Sequence, residues 1–144
     1  MRSIILCAAE RKQQPWGVET LLAETETYTL KRLDYRAGQG GGLQYHMARS
    51  ESFHLVSGAA IVRYDRGDGV LVEERMFPGQ TFTIPAGAPH QFEAVTDCVV
   101  FEAGQPGVND RVNVAHRYGR EMAPGTLPTT WTDAEIAAFE GALS

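Results

Sequence analysis

The residues best suited to chemistry lie between Gly38 and Gly58, in the run GQGGGLQYHMARSESFHLVSG. At a strand's period of two, Gln44, His46 and Ala48 fall on one face, and Tyr45 and Met47 on the other. Glu51 follows a short turn, and Phe53 and Leu55 alternate onto its side of a second strand. An amide oxygen, an imidazole and a carboxylate thus converge from what reads as two neighbouring strands. A second stretch, Gly79 to His90 (GQTFTIPAGAPH), adds another imidazole just past a Pro-Gly turn. Gln44, His46, Glu51 and His90 are four N and O donors without a thiolate. That set suits a divalent ion, zinc first, with manganese, iron, nickel or cobalt as substitutes.

Such a set needs strands to hold it, and the flanking sequence reads as strands. From Tyr28 to Gly38, Thr29, Lys31, Leu33 and Tyr35 share one face and Leu30, Arg32 and Asp34 the other. One of Lys31 and Arg32 therefore points inward, and parity leaves open which. AAIVRYD (59–65) and VLVEERMF are joined by the hairpin turn RGDG (66–69). QTFTI, QFEAVT and DCVVFEAG follow, each bounded by turn signals. Near the start, SIILCAA reads as a first strand, and Pro15 and Gly17 then break the regular structure around Trp16, a packing anchor. About nine or ten short strands at this spacing predict an all-β barrel or jelly roll.

The last part changes character. VNDRVNVAHRYGR (108–120) is polar with alternating valines, and MAPGTLPTT is a Pro-rich linker. TDAEIAAFEGAL is a short helix opened by a Thr132–Glu135 capping box, with Ile136, Phe139 and Leu143 on one face for core packing or a dimer contact.

The 144 residues predict one domain over 1–144, with a core of about 12–120 and a linker and helix over 121–144. A net charge of -5 without any basic run argues against a nucleic-acid partner. Cys7 and Cys98 lie far apart in apolar runs and read as buried, inert thiols rather than a disulfide framework. The N-terminal apolar run is too short for a leader and runs straight into Glu10, Arg11 and Lys12. No stretch is long enough to span a membrane. A cytoplasmic location is expected.

The spacing resembles the cupin superfamily, whose first motif is G-x5-H-x-H-x(3,4)-E-x6-G and second G-x5-P-x-G-x2-H-x3-N. Gly38, His46, Glu51 and Gly58 match the first, with Gln44 at the first His position; Gly79, Pro85, Gly87 and His90 match the second, with Ala94 for the final Asn. QPWG (14–17), LKRLDYRAG (30–38), GLQYHMARSESFHLVSGAA (42–60), IPAGAPH (84–90) and HRYGR (116–120) also line up in order with the cupin module of type II phosphomannose isomerases. That module is also found at the C-terminus of mannose-1-phosphate guanylyltransferases. The chain departs from it at Gln14, which replaces an Arg, and at Met47, Ala48 and Ser52, which replace histidines.

The resemblance implies a cupin jelly-roll barrel with a short C-terminal helix, pairing as a homodimer. It also implies a metal-dependent aldose–ketose isomerase acting on a sugar phosphate, of the mannose-6-phosphate type. Glu51 would serve as ligand or base, with Lys31 or Arg32, Arg49, Arg117 and Arg120 available to an anionic sugar. Two other functions fit the same residues. One is a non-catalytic cupin that binds a sugar or small carboxylate. The other is a small oxygenase using the facial triad His46, His90 and Glu51.

Overall fold

Side chains spaced by two on separate strands meet in one interior: Leu33 and Tyr35, Phe53 and Leu55, Val62, Phe92 and Ala94, and Cys98 and Val100. The computed structural model describes residues 3–107 and 109–143, and this interior lies between two antiparallel sheets. The strands are β1 (Glu10–Gln14), β2 (Gly17–Glu24), β3 (Thr29–Tyr35), β4 (Gln44–His46), β5 (Glu51–Ser57), β6 (Ala60–Asp65), β7 (Leu71–Met76), β8 (Thr81–Ile84), β9 (His90–Ala94), β10 (Cys98–Gly104) and β11 (Arg111–Asn113). A 3-10 turn at Ala115–Tyr118 and one helix, α1 (Asp133–Leu143), complete the chain.

The first sheet has the order β1-β2-β3-β10-β5-β8 and the second β11-β4-β9-β6-β7. β4 and β5, which carry Gln44, His46 and Glu51, therefore belong to opposite sheets. They are not the neighbouring strands that the local alternation implies, because the turn between them carries the chain across the sandwich. Parity on β3 is settled by burial. Leu33 and Tyr35 face the core and Lys31 shares their side, whereas Arg32 is exposed and pairs with Asp34 at 2.9 Å.

A second, smaller core lies behind β4. Leu43, Tyr45, Val112, Val114 and Ala115 are buried there, with Ile136 and Phe139 of α1 packed over them. The Tyr45 ring stacks on Phe139 with centroids 5.9 Å apart, and its hydroxyl donates to Glu140 at 2.8 Å. The Thr132–Glu135 capping box forms as expected, with the Glu135 N–H donating to Thr132 Oγ1 at 3.2 Å and the Thr132 N–H to Glu135 Oε2 at 2.8 Å.

Two expectations fail near the N-terminus. Met1 and Arg2 lie outside the described residues, and residues 3–9 form no strand; Ile4 and Leu6 are fully exposed and the first strand begins at Glu10. With no sheet edge paired to it, that apolar run has nothing to order it. Cys7 is consequently exposed rather than buried, while Cys98 is buried; both are free. The valine alternation over 108–120 begins at Val108, which also lies outside the described residues.

Two glycines of the motifs have packing reasons. Gly17 follows Trp16, whose ring stacks on Tyr35 at 4.3 Å, and a Cβ at Gly17 would lie 1.8 Å from the Asp34 carbonyl oxygen. Gly58 has φ +96° and a Cβ there would lie 2.2 Å from the Asp97 carbonyl oxygen. Replacing Gly58 by Ala adds strain and overlap together and is expected to cost at least about 2 kcal/mol. Urea unfolding measures this directly, and an unchanged midpoint would refute the packing account.

Candidate metal centre

His46 ends β4, His90 starts β9, and Glu51 starts β5 in the facing sheet. Gln44 pairs in register with His90, so the two side chains rise on one face of the sheet. His46, Glu51 and His90 are each at most 5% exposed, and their ligand atoms lie within 4.8 Å of one another.

The second nitrogen of each imidazole is already engaged. His90 Nδ1 is 2.9 Å from the Ala88 carbonyl oxygen, which can only accept, so that nitrogen carries the hydrogen. His46 Nδ1 lies 2.7 Å from Oδ1 of Asp110. Burial raises the Asp110 pKa, but N–H groups of Ala48 and Arg49 and the His46 ring outweigh it and hold the group ionised and below the usual carboxylate range. Both rings therefore turn Nε2 toward Glu51 Oε1, at 3.3 and 3.2 Å. In neutral rings these atoms are acceptors facing an acceptor, an arrangement that calls for extra protons or a cation between them. Burial would raise the Glu51 pKa, yet with such protons on both rings the hydrogen bonds from His46, His90 and Glu102 hold it far below the ordinary range. The separations of 3.2–3.3 Å match the ~3.0–3.4 Å between ligands that each stand ~2.1 Å from one ion. Tautomers fixed from behind are what a metal-ligating imidazole requires. The donor set fits a divalent ion.

His46 and Glu51 face a cavity of about 310 Å³ whose walls also include Gln44, Lys31, Arg49, Glu102 and Arg111, while His90 lies behind them and borders a separate pocket with Tyr64 and Phe82. Lys31 is tied to Glu19 at 2.6 Å. Arg49 Nη2 lies 3.5 Å from Glu51 Oε2 and 3.4 Å from His46 Nε2. Glu102 is opposite Lys31 on β10, and its carboxyl is pushed up to about 8 by burial and by the charge of Glu51. Residues 124–127 and Trp16 close the far side.

Of the residues singled out from sequence, the structure brings together His46, Glu51 and His90, and Gln44, Lys31 and Arg49 line the cavity that His46 and Glu51 face. Arg120 is not among them. It is exposed after the 3-10 turn, outside the cavity. Arg117 instead pairs with Glu140 at 2.6 Å, and Tyr118 donates to Asp65 at 2.6 Å, so this motif buttresses α1 and the 66–69 turn. Sequence reasoning missed Asp110, Glu102 and Arg111. Glu102 carried a signal, a carboxylate inside the apolar alternation of DCVVFEAG; Asp110 and Arg111 carried none, since a polar segment hides which residues turn inward.

A family model described as mannose-6-phosphate isomerase C-terminal matches residues 7–100. Mannose-1-phosphate guanylyltransferase of Escherichia coli (strain K12) is 32% identical over 112 residues, which cover 74% of this chain and 22% of the relative. The chain thus spans about a fifth of the length of the curated relatives it matches. The capsular polysaccharide assembling protein CapF from Staphylococcus aureus shares the fold with a TM-score of 0.66 at 19% identity, over 75% of this chain and 32% of that one. So does a sugar phosphate isomerase from a cupin superfamily of Silicibacter pomeroyi, with a TM-score of 0.54 at 21% identity, over 62% of this chain and 59% of that one. Asp110, Arg111 and the 124–127 wall lie beyond the stretch that the family model matches.

The buried Asp110 makes the acid stability of the protein readable. Its folded pKa lies below the unfolded value of about 3.9. Its contribution is therefore complete above that value and is lost as pH falls through the lower folded value. Asp110→Asn is expected to lower the unfolding free energy at neutral pH by about 1.5–3 kcal/mol. The gap to the unmodified protein should narrow on acidification below about pH 4. Urea titrations across pH test this; a gap that stays constant would show that the carboxylate charge is not what stabilises the site.

Proposed function

The chain belongs to the mannose-6-phosphate isomerase C-terminal family and has the cupin fold, an all-β jelly roll with one C-terminal helix, and from that footing we propose that it is a metal-dependent isomerase interconverting an aldose phosphate and a ketose phosphate. The observation that carries this reading is the pair of imidazole Nε2 atoms turned on one Glu51 oxygen, with His46 and Glu51 at the wall of a cavity that Lys31, Arg49 and Arg111 also line. His46, Glu51 and His90 would hold the ion, with Gln44 as a fourth donor and zinc as the expected metal. A divalent ion supplies Lewis-acid stabilisation of the negative charge that develops on neighbouring sugar oxygens when a proton leaves carbon.

The chain's own groups do the rest. Burial raises the Glu102 pKa, and a proton held there would be placed to pass to or from the substrate. Lys31, paired with Glu19, stands directly across from Glu102 on β3, and Arg49 would bring positive charge to the substrate oxygens. The stacked Trp16 and Tyr35 rings form an apolar wall for a sugar's C–H face. The cavity is at the small end of the ~300–1,000 Å³ range of ligand sites, which suits a monosaccharide rather than a sugar nucleotide. The outermost strands β1, β8, β11 and β7 leave sheet edges through which a homodimer would form.

Metal analysis of protein purified without chelator is the first test. The expected result is about one ion per chain, lost in the His46→Ala/His90→Ala double variant, with Asp110→Asn binding zinc about 10- to 100-fold more weakly. The loaded protein should convert mannose 6-phosphate to fructose 6-phosphate. Failure to bind metal after reconstitution sinks the proposal. Metal binding without turnover would leave a sugar-binding cupin.

A further inference from the structure

Arg111 is a half-buried cation without a direct ion-pair partner among the described residues. It stands opposite His46 in the β11–β4 register, while its neighbour Val112 stands opposite Tyr45 and is buried in the second core. Arg111 therefore projects on the cavity side, next to His46, and lines the cavity. Arg49 approaches the same imidazole to 3.4 Å. Two guanidinium groups thus flank one side of the candidate metal centre.

Their surroundings differ. Lys31 is neutralised by Glu19, and Arg49 leans on Glu51 and Asp110 at 3.5 and 3.7 Å. Among the described residues, no carboxylate lies within ion-pair distance of Arg111 and its side chain has no hydrogen-bond partner, the buried Nε included. Glu51 and Asp110 attract it only from beyond ion-pair distance, and burial together with the neighbouring Arg49 charge outweighs that attraction. A partly desolvated guanidinium beside a second one raises the free energy of the empty protein. An anion bridging the two would remove that cost, and the planar fork of Arg suits carboxylate and phosphate oxygens alike.

We propose that Arg111 and Arg49 form an oxyanion subsite on the His46 side of the centre, selecting a sugar that carries a carboxylate or a phosphate. This rests on the cavity being the ligand site proposed above, though not on isomerisation taking place there.

The test is calorimetric titration of the zinc-loaded full chain with mannose 6-phosphate, glucuronate and uncharged mannose, using the unmodified protein, Arg111→Met and Arg111→Lys. At least one anionic sugar should bind more tightly than mannose, and which one does identifies the anion. Arg111→Met should weaken that binding by about 10- to 100-fold and leave mannose unchanged, with Arg111→Lys intermediate. Without ligand, Arg111→Met should melt at the same temperature or higher, since an unpaired charge is replaced by an apolar chain of similar reach. The proposal is overturned if neither anion is preferred, if the preference survives Arg111→Met, or if that variant melts lower, which would mark Arg111 as a structural cation. Binding is read without turnover, so a protein that prefers an anionic sugar yet converts none would refute the isomerase reading alone.

Discussion

The constraint on which the rest of this molecule depends is a carboxylate removed from water. Glu51 is 5% exposed between two sheets, and an ion buried to that degree costs several kcal/mol unless its partners are held in place. The partners are two imidazoles, and each is fixed from behind, His46 by Asp110 and His90 by the Ala88 carbonyl. Glu102 beside it cannot also ionise cheaply, so one carboxyl carries the charge and the other the proton. The division of roles between the two glutamates follows from the charge that Glu51 already carries.

Holding that arrangement falls to both sheets and to the tail. β4 is three residues long and meets β9 through a single registered pair, Gln44 with His90. Its position is secured from the other side, where Tyr45 is packed by the second core and by α1. The Gly87 N–H also donates to the His46 carbonyl at 2.7 Å, which ties the turn before His90 to the strand that ends in His46. A Cβ at Gly87 would lie 2.8 Å from Leu143, so this turn is close-packed under the helix as well. The C-terminal segment is thereby part of the site's scaffold as well as of its wall.

The electrostatics of the cavity run against those of the chain. The protein carries a net charge of -5, yet Lys31, Arg49 and Arg111 gather on the walls around the one ionised glutamate of the triad. Lys31 and Arg49 are offset by Glu19, Glu51 and Asp110, which leaves Arg111 as the cation of this cluster without a direct partner among the described residues.

Period-two alternation by itself determined a great deal. It placed Gln44 with His46 and Glu51 with Phe53 and Leu55, because a strand's side-chain direction is a local property of the backbone. Gly87, with positive φ, fixed the turn that delivers His90, for the same local reason. What local pattern cannot contain is the partner across a gap. Only the tertiary structure decided that β4 and β5 face each other from opposite sheets, that Lys31 rather than Arg32 points inward, and that Arg120 stands apart from the cavity. It alone brought Asp110 and Arg111, more than sixty residues along the chain, to either side of His46. Those placements depend on which strands pair and which faces are covered, and pairing is settled by the burial of the whole interior rather than by any short stretch of sequence.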